Sequence, residues 1–337
     1  MAADDRARST RDEVDSHTGQ LLLNDALPPV PQKAGSPAGS PVESLVGSPA
    51  ESPPRSPAES TAGASADSTA ASPHNTRAQH LLPGEPRPHR IDNFPGSYYY
   101  KAASSQWHWS GMEATVKLGS PNIDPKRVDA KGRALDGFSI YLGGNANGKH
   151  EIDAGLTWDY PADSAGKVDK SHKEWRPFYR NGAWHWADKE KASWKPGDTV
   201  AISVSMVAPG KMHMHIADAA KNSTRHADVD FAAPGFNGKN AVQFKRVNAI
   251  DQVATEGKTV HPTHSKILDT AWLSTNLTHD TSKGRETVPF NRIRQSTLQT
   301  PVGHIRVRHT KEQESVGAES VEIRGSIVDQ TPGAKKP

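Results

Sequence analysis

Apolar and polar residues alternate with a period of two over several short stretches of the chain. Residues 199–207 place Val200, Ile202 and Val204 on one side of an extended backbone and small polar residues on the other. Residues 211–216 alternate in the same way, and a short Pro-Gly segment separates the two stretches. This pattern predicts two half-buried strands joined as an antiparallel hairpin.

Further stretches of this kind are bounded by Gly, Pro and Asn-Gly turn signals. They predict strands over residues 137–142, 150–156, 175–179, 183–186, 241–250, 265–273, 303–308 and 320–328. Between residues 98 and 280 we find no amphipathic stretch with a helical period. Many short strands without intervening helices predict an all-β fold, an antiparallel β-sandwich (jelly roll).

The aromatic residues divide the chain. No Phe, Trp or Tyr precedes Phe94, and only Phe290 follows Trp272. The stretch before Phe94 is rich in Ser-Pro steps, which remove backbone donors and supply little apolar surface to bury. We therefore predict three parts: a disordered Ser/Pro-rich arm over residues 1–93, a β-sandwich domain over 94–280, and a C-terminal β extension and tail over 281–337.

Composition excludes several classes of chemistry. The chain has no Cys, which excludes a disulfide framework, a thiol nucleophile and a Cys-based zinc site. A net charge of +3 over 337 residues disfavours nucleic-acid binding. The chain shows no long apolar run and no Gly-rich phosphate loop before a helix. We expect no cofactor, no nucleic acid and no membrane partner, and the pattern leaves the oligomeric state open.

Two carboxylates share one side of a predicted strand. In the segment Glu-Ile-Asp-Ala-Gly, the side chains of Glu151 and Asp153 lie on the same face because strand residues alternate. The segment resembles the concanavalin A-like lectin/glucanase superfamily, whose retaining glucanases carry Glu-x-Asp-x-Glu on a central strand. The resemblance implies a concanavalin A-like sandwich with Glu151 in the nucleophile position and Gly155 in the acid/base position. A hydrolase would then need another carboxylate, such as Asp159 or Asp188.

A second resemblance covers roughly residues 137–275. The segments Ala154-Gly-Leu, Trp175-Arg-Pro-Phe and Pro196-Gly-Asp are similar to segments of the glutamic peptidases and of small secreted bacterial sandwich proteins of the YrpD type. The resemblance is closest in style to the YrpD type, through Glu151-Ile-Asp and Lys245-Arg-Val. Asp153 occupies the place of the Gln that the peptidases require. The resemblance therefore implies the sandwich fold and not peptidase activity.

Tryptophans supply the most plausible binding surface. The chain has 8 Trp, and flat indole rings stack on the C–H faces of sugars while nearby acids and imidazoles bind hydroxyls. A role for these Trp in the core of the sandwich is the competing interpretation. We predict a ligand-binding face made of Trp158, Trp184, Trp186, His185, Glu151 and Asp153.

Two histidines are spaced for a metal. His213 and His215 fall on one side of a predicted strand, where two imidazoles could chelate an ion. The sequence places no third ligand beside them. We therefore interpret them as a solvent-facing pair and expect no metal site.

Together these patterns favour a non-catalytic protein that binds a glycan or another polymer and is delivered by a flexible arm. One alternative is a glycoside hydrolase that uses Glu151 and Asp153. Another is a bacterial effector or secreted interaction protein that docks a host protein. The Ser/Pro-rich N-terminus without an ordinary signal segment favours secretion by a signal-peptide-independent route, and the alternative is a cytoplasmic location.

Overall fold

The computed structural model describes residues 80–93, 95–158, 173–187, 192–220 and 223–326. The predicted arm up to residue 79, together with Asp159 and Asp188, lies outside the described residues. Within them the chain forms 16 strands and one short helix, α1 (Lys311–Ser315). The strands are β1 (Ser97–Ala103), β2 (Trp109–Lys117), β3 (Ser120–Asn122), β4 (Asp136–Ala146), β5 (His150–Trp158), β6 (Arg176–Arg180), β7 (Trp184–Trp186), β8 (Thr199–Ala208), β9 (Lys211–Asp218), β10 (His226–Ala232), β11 (Val242–Gln252), β12 (Lys266–Thr281), β13 (Gly284–Pro289), β14 (Ser296–Thr300), β15 (Ile305–Arg308) and β16 (Glu319–Arg324).

The described strands form two antiparallel sheets. The first sheet has seven strands in the order β14-β1-β11-β4-β5-β6-β7. The second sheet has nine strands: seven in the order β10-β9-β8-β2-β12-β16-β15, with β13 and β3 also paired to β12. The predicted all-β sandwich is therefore confirmed.

The period-two pattern located the hairpins correctly. Strands β8 and β9 pair across the predicted Pro-Gly turn, and β4 pairs with β5 across Asn147 and Gly148. Both turn residues have positive φ, 54° and 69°, which is why Asn and Gly stand there. The late strands β15 and β16 also pair with each other, and they extend the second sheet.

One hydrophobic core lies between the sheets. Phe138 and Ile140 of β4 are fully buried against the other sheet's Val200 and Ile202 of β8. Each such side chain contributes about 1.5–3 kcal/mol when it leaves water. Alternation then leaves the odd-numbered residues of β1, β4, β5 and β11 on the outer side of the first sheet, where the candidate site lies.

A buried ion pair joins the two sheets inside the core. Arg246 of β11 contacts Glu319 of β16 at 2.6 Å, and both side chains are almost fully buried. The Tyr100 hydroxyl donates a hydrogen bond to the same carboxylate at 2.9 Å, and Arg246 donates to Thr275. Burial of the Tyr100 hydroxyl and the neighbouring Glu319 charge raise its pKa. A buried charge of this kind is tolerated only because its partners are in place.

The folded body extends beyond the boundaries predicted from the aromatic residues. Glu85, before Phe94, is buried and pairs with the buried Arg294 at 3.1 Å. The predicted boundary at residue 280 falls inside β12, and β14 is an edge strand of the first sheet. Residues 284–324 therefore supply strands to both sheets.

Helix α1 is a single turn that the sequence pattern did not predict. Its N-cap is Thr310, whose hydroxyl accepts from the Gln313 backbone while the Gln313 side chain accepts from the Thr310 backbone. In the part of the chain that the structure describes, no helix has the length and apolar character to cross a membrane.

Candidate functional site

A cleft opens on the outer side of the first sheet. Its cavity volume is about 100 Å³, and it is partly open to solvent. Strands β1, β4, β5 and β11 line it with outward-facing side chains, and the segment at Pro95 and Gly96 forms one lip. Its polar and aromatic lining includes Tyr99, Lys101, Tyr141, Glu151, Asp153, Lys245 and Asp251.

Four charged side chains at one end of the cleft form an ionic cluster: Glu151, Asp153, Arg180 and Lys245. The Lys245 ammonium contacts Glu151 directly and Asp153 at 2.9 Å. The Arg180 guanidinium lies 3.3 Å from Asp153 and 3.7 Å from Glu151. Each acid therefore contacts both bases, and all four side chains are at most 19% exposed.

The cluster depends on a glycine in the strand between its members. Lys245 lies on β11 and Asp153 on β5, with β4 between them. Gly143 is paired with both residues, and a Cβ built there would stand 2.5 Å from the Asp153 carboxylate and 2.6 Å from the Lys245 side chain. The missing side chain at Gly143 therefore lets the lysine reach across β4.

Electrostatics fix the charge states in the cluster. Burial alone would raise the pKa of Glu151, but the ammonium of Lys245 and the guanidinium of Arg180 lower it to about 2. Burial opposes the charge of Lys245, yet Asp153 and Glu151 raise its pKa well above the ordinary value. Glu151 is consequently an ionised acceptor held by two cations, not a proton donor.

Two other groups in the cleft titrate closer to neutrality. Burial raises the pKa of Asp251 to about 6, although the Ser139 hydroxyl donates to its carboxylate at 2.7 Å and lowers the pKa in part. Burial, together with the neighbouring Lys245 charge, lowers the pKa of Lys101 to about 8. The cleft therefore combines fixed charges at one end with groups able to exchange protons.

An aromatic shelf made of Phe178, Trp184 and Trp186 lies beside the ionic cluster. The Phe178 and Trp184 rings stack at 4.0 Å with 8° between their planes, and Trp186 meets Trp184 edge-on at 5.9 Å. The Arg176 guanidinium lies 3.8 Å from the centre of the Trp186 ring. Trp186 is 36% exposed, so the shelf presents an indole to solvent.

Strand register brings the shelf and the cluster together. Asp153 on β5 pairs with Arg180 on β6, and Arg180 pairs with Trp184 on β7. These three side chains therefore form one row across the outer face of the sheet. Four residues of the predicted ligand-binding face, Glu151, Asp153, Trp184 and Trp186, lie on this side.

Two residues of the predicted face lie elsewhere. Trp158, predicted for the ligand-binding face, is 6% exposed and packs edge-on against Trp175 in the core. His185 stacks on Tyr179 at 4.7 Å, and Tyr179 in turn stacks on Phe231 of the second sheet. Each of the two residues alternates to the inner side of its strand, so neither lies on the outer face with the other four.

The sequence interpretation missed Lys245, Arg180 and Asp251 as site residues. A signal for them exists in β11, where Lys245 and Asp251 share the outward face with Val247 and Ala249. A charged residue on an almost fully buried strand needs a partner, and the structure supplies Glu151 and Asp153 for Lys245. The sequence pattern does not reveal the strand register that places β11 and β5 on either side of β4.

His213 and His215 lie away from this cleft, on the outer side of the second sheet. Both are partly exposed, as the alternation predicted. The structure adds a third group that the sequence did not place, Asp228 on the neighbouring strand β10, 2.7 Å from His215 and 3.1 Å from His213. These three residues are the described side chains grouped closely enough to hold a metal ion.

Comparisons with known proteins find distant likenesses only. No family model and no curated protein matches the chain. Among solved structures, scytalido-glutamic peptidase with a transition state analog inhibitor aligns over 69% of this chain and 98% of its own, at 10% identity and a TM-score of 0.41. SCP-B, an eqolisin peptidase bound to the tripeptide Ala-Ile-His, aligns over the same shares at 8% identity and 0.39.

A further solved structure is the beta-porphyranase of the gut bacterium Bacteroides plebeius. It aligns over 49% of this chain and 66% of its own, at 9% identity and a TM-score of 0.10. Likenesses at these scores carry no conclusion about the function of the chain.

Proposed function

We propose that the outer face of the first sheet binds a glycan, or a similar hydroxyl-rich polymer, without cleaving it. The observation that carries the proposal is the row formed by Asp153, Arg180 and Trp184, which joins the aromatic shelf to the ionic cluster at one end of the cleft. An extended ligand crossing β7, β6 and β5 would meet an indole first and charged hydrogen-bonding groups next.

The two groups would make different contributions. The exposed indole of Trp186 stacks on the apolar C–H face of a sugar ring. The carboxylates of Glu151 and Asp153 accept hydrogen bonds from ligand hydroxyls, while Arg180 and Lys245 donate hydrogen bonds to hydroxyl oxygens of the ligand. These charged side chains are already paired and hold one another in place. Binding of the ligand therefore costs little side-chain conformational entropy.

The contacts of Glu151 argue against cleavage through this residue. A nucleophilic carboxylate needs an oxygen free to approach the reacting carbon, yet one oxygen of Glu151 contacts Lys245 and the other faces Arg180. The position where a glucanase carries its acid/base is Gly155, where a Cβ would lie 2.4 Å from the Ile140 carbonyl oxygen. No second carboxylate fits there.

A glycan array followed by calorimetry with the best oligosaccharide tests the proposal. We expect saturable binding and no release of reducing ends. Trp184→Ala and Trp186→Ala should each weaken binding about tenfold or more, in line with the roughly 1.5–3 kcal/mol gained when a large apolar side chain is covered. Leu273→Ala, an exposed apolar residue on the second sheet, is the control and should bind as the unaltered chain does. Unchanged binding in both Trp variants would overturn the proposal.

One observation favours a hydrolase as the second candidate. The same cleft holds Glu151 with a pKa of about 2 and Asp251 with a pKa of about 6, and carboxyls driven apart in this way often divide the base and acid roles. In this case polysaccharide or peptide libraries would be turned over, and both Glu151→Gln and Asp251→Asn would abolish turnover. Loss of turnover in both variants, with ligand binding retained, would favour the enzyme over the binding protein.

A further inference from the structure

A cluster of imidazoles and carboxylates covers one end of the second sheet, away from the cleft. Strands β9 and β10 pair there, with His215 opposite Asp228 and His213 opposite Asp230. The four side chains share the exposed side of the two strands, because each pair projects from the same face. The His215 Nδ1 atom lies 2.7 Å from Asp228 Oδ1, and His213 Nδ1 lies 2.7 Å from Asp230 Oδ1.

The two ring nitrogens of His213 both face carboxylate oxygens. Nδ1 lies 2.7 Å from Asp230, and Nε2 lies 3.1 Å from Asp228. A neutral imidazole has one N–H, and an ionised carboxylate only accepts. With Nδ1–H donated to Asp230, Nε2 turns its lone pair towards the space beside the Asp228 carboxylate, where an imidazole nitrogen and a carboxylate oxygen can bind the same metal ion.

The surroundings of these side chains match those of metal-binding histidines. Such histidines donate their second ring N–H to a carboxylate or a backbone carbonyl, which fixes the ring. Asp230 accepts from His213 and is held by the Lys211 ammonium at 2.7 Å. His226 Nδ1 lies 2.8 Å from the Thr224 carbonyl oxygen, which leaves its Nε2 facing Asp228 at 3.6 Å.

We propose that His213, His215 and Asp228 bind a divalent transition metal ion of the zinc class, with His226 as the fourth ligand. Imidazole and carboxylate donors suit Zn²⁺ and its neighbours, whereas Ca²⁺ and Mg²⁺ prefer oxygen ligands alone. Ligand bonds of about 2.0–2.1 Å in a tetrahedron separate the donor atoms by roughly 3.3 Å. The contacts of 2.7, 3.1 and 3.6 Å around Asp228 lie on either side of this value.

Such an ion would join the edge strand to its neighbour. Strand β10 is the last strand of the second sheet, and the ligands come from both β9 and β10. An ion that binds the folded chain and not the unfolded chain stabilises the folded state by mass action. Metal binding should therefore saturate at one ion per chain. It should also protect the edge of the sheet against local opening.

Calorimetric titration of the full chain with Zn²⁺ tests the site. We expect one ion per chain, with affinity at least tenfold weaker in His213→Ala and in Asp228→Asn. Asp230→Asn, which removes the group that orients His213 and not a ligand, should weaken binding by about 10- to 100-fold. His309→Ala is the matched control, because His309 is an exposed histidine beside Glu314. Titration with Ca²⁺ should give no saturable binding.

Thermal unfolding provides a second readout that does not depend on calorimetry. Zn²⁺ should raise the unfolding temperature of the unaltered chain and of His309→Ala, and leave His213→Ala unchanged. Circular dichroism checks that His213→Ala is folded before the comparison. Equal Zn²⁺ affinity in the unaltered chain and in His213→Ala would overturn the proposal. So would NMR spectra in which the ring signals of His213 and His215 do not change under saturating Zn²⁺.

Discussion

At the scale of single residues, the cleft is organised by Lys245. Its ammonium contacts both Glu151 and Asp153, and it reaches them only because Gly143 has no side chain. Arg180 contacts the same two acids from the other side. Removal of one cation would leave two partly buried carboxylates sharing the other, which is the situation that makes broken buried ion pairs costly.

Lys245→Met should lower the free energy of unfolding by about 3 kcal/mol, the order expected when a buried pair loses one partner. Urea denaturation measures the change. Adding Asp153→Asn to the same chain should recover part of the loss, because one uncompensated charge is then gone. Lys239→Met, at an exposed lysine, is the control and should have little effect. Strictly additive effects of the two changes would contradict the role given to Lys245.

The raised pKa of Asp251 makes stability depend on pH with a definite sign. Its pKa is about 6 in the folded chain against an ordinary value of 3.8, so the folded form binds the proton more tightly. The stabilising contribution of the protonated carboxyl is present at low pH and is lost as pH rises from about 4 through 6.

Asp251→Asn should therefore have little effect on stability at pH 4 and should stabilise the chain relative to the unaltered protein at pH 7. Chemical denaturation at both pH values measures the difference. Asp280→Asn, at an exposed aspartate, serves as the control with no such pH dependence expected. A stabilisation that is equal at pH 4 and pH 7 would count against a buried, proton-binding Asp251.

Alternation along the strands explains which site residues the sequence could locate. It placed Glu151 and Asp153 on one side, and the same parity would have put Trp158 on the opposite, buried side. The sequence interpretation nevertheless placed the tryptophan on the ligand-binding face, because it weighed residue type above parity. The contact of Asp153 with Lys245 was beyond reach, since local pattern carries no register between strands so far apart in the chain.

At the scale of elements, β5 shows why the acid/base position of the resembled glucanases is a glycine here. A Cβ at Gly155 would lie 2.4 Å from the Ile140 carbonyl oxygen and 2.5 Å from the Tyr141 backbone. Strand β4 and its tyrosine therefore occupy the space that a glutamate would need. Close packing of β4 against β5 therefore accounts for a glycine at this position.

Gly155→Ala should destabilise the chain by about 1–3 kcal/mol or more, because the methyl group has to displace backbone in a paired strand. Thermal or urea unfolding measures the loss. Gly148→Ala is the matched comparison, since its Cβ would meet open space and only its positive φ is unfavourable. That change should cost about 1 kcal/mol. An equal loss at the two positions would contradict the close packing of β4 and β5.

The sequence predicted whole hairpins better than it predicted sheets. Strands β8 and β9 are adjacent in the sequence. Alternation and a turn signal are therefore enough to predict both strands and their pairing. Strand β10 was missed although Ala227, Val229 and Phe231 alternate, because the residues between them, Asp228 and Asp230, have low strand propensity. Assignment of strands to the first or second sheet was not possible, because partners of β1 and β12 lie far along the chain.

At the scale of the whole molecule, the body begins before the aromatic residues do. Glu85 and Arg294 form an ion pair in which both side chains are fully buried. The boundary predicted at residue 93 lies too far along the chain, because it was placed by aromatic content. The residue that anchors this segment is the charged Glu85.

Deletion of residues 1–79 should leave the Glu85–Arg294 pair intact and change stability little. Deletion of residues 1–93 should cost about 3 kcal/mol or more, because Arg294 then stays buried without its carboxylate. Guanidinium denaturation of the two shortened chains measures the difference. Glu85→Gln in the full chain separates loss of the charge from loss of the segment and should reproduce a substantial part of the effect. Equal stability of the two shortened chains would contradict this anchor.

The position of β1 in the first sheet has a consequence for synthesis in the cell. Tyr99 pairs with Ala249 on one side and with Thr300 on the other, so both neighbours of this strand are made long after it. A ribosome delivers β1 first, and the sheet cannot close around it until residue 300 has left the exit tunnel. Contacts of such sequence separation form slowly. A stop codon before residue 296 would remove β14, the partner of β1 on one side. Strand β1, near the other end of the chain, would then have an open edge prone to aggregation.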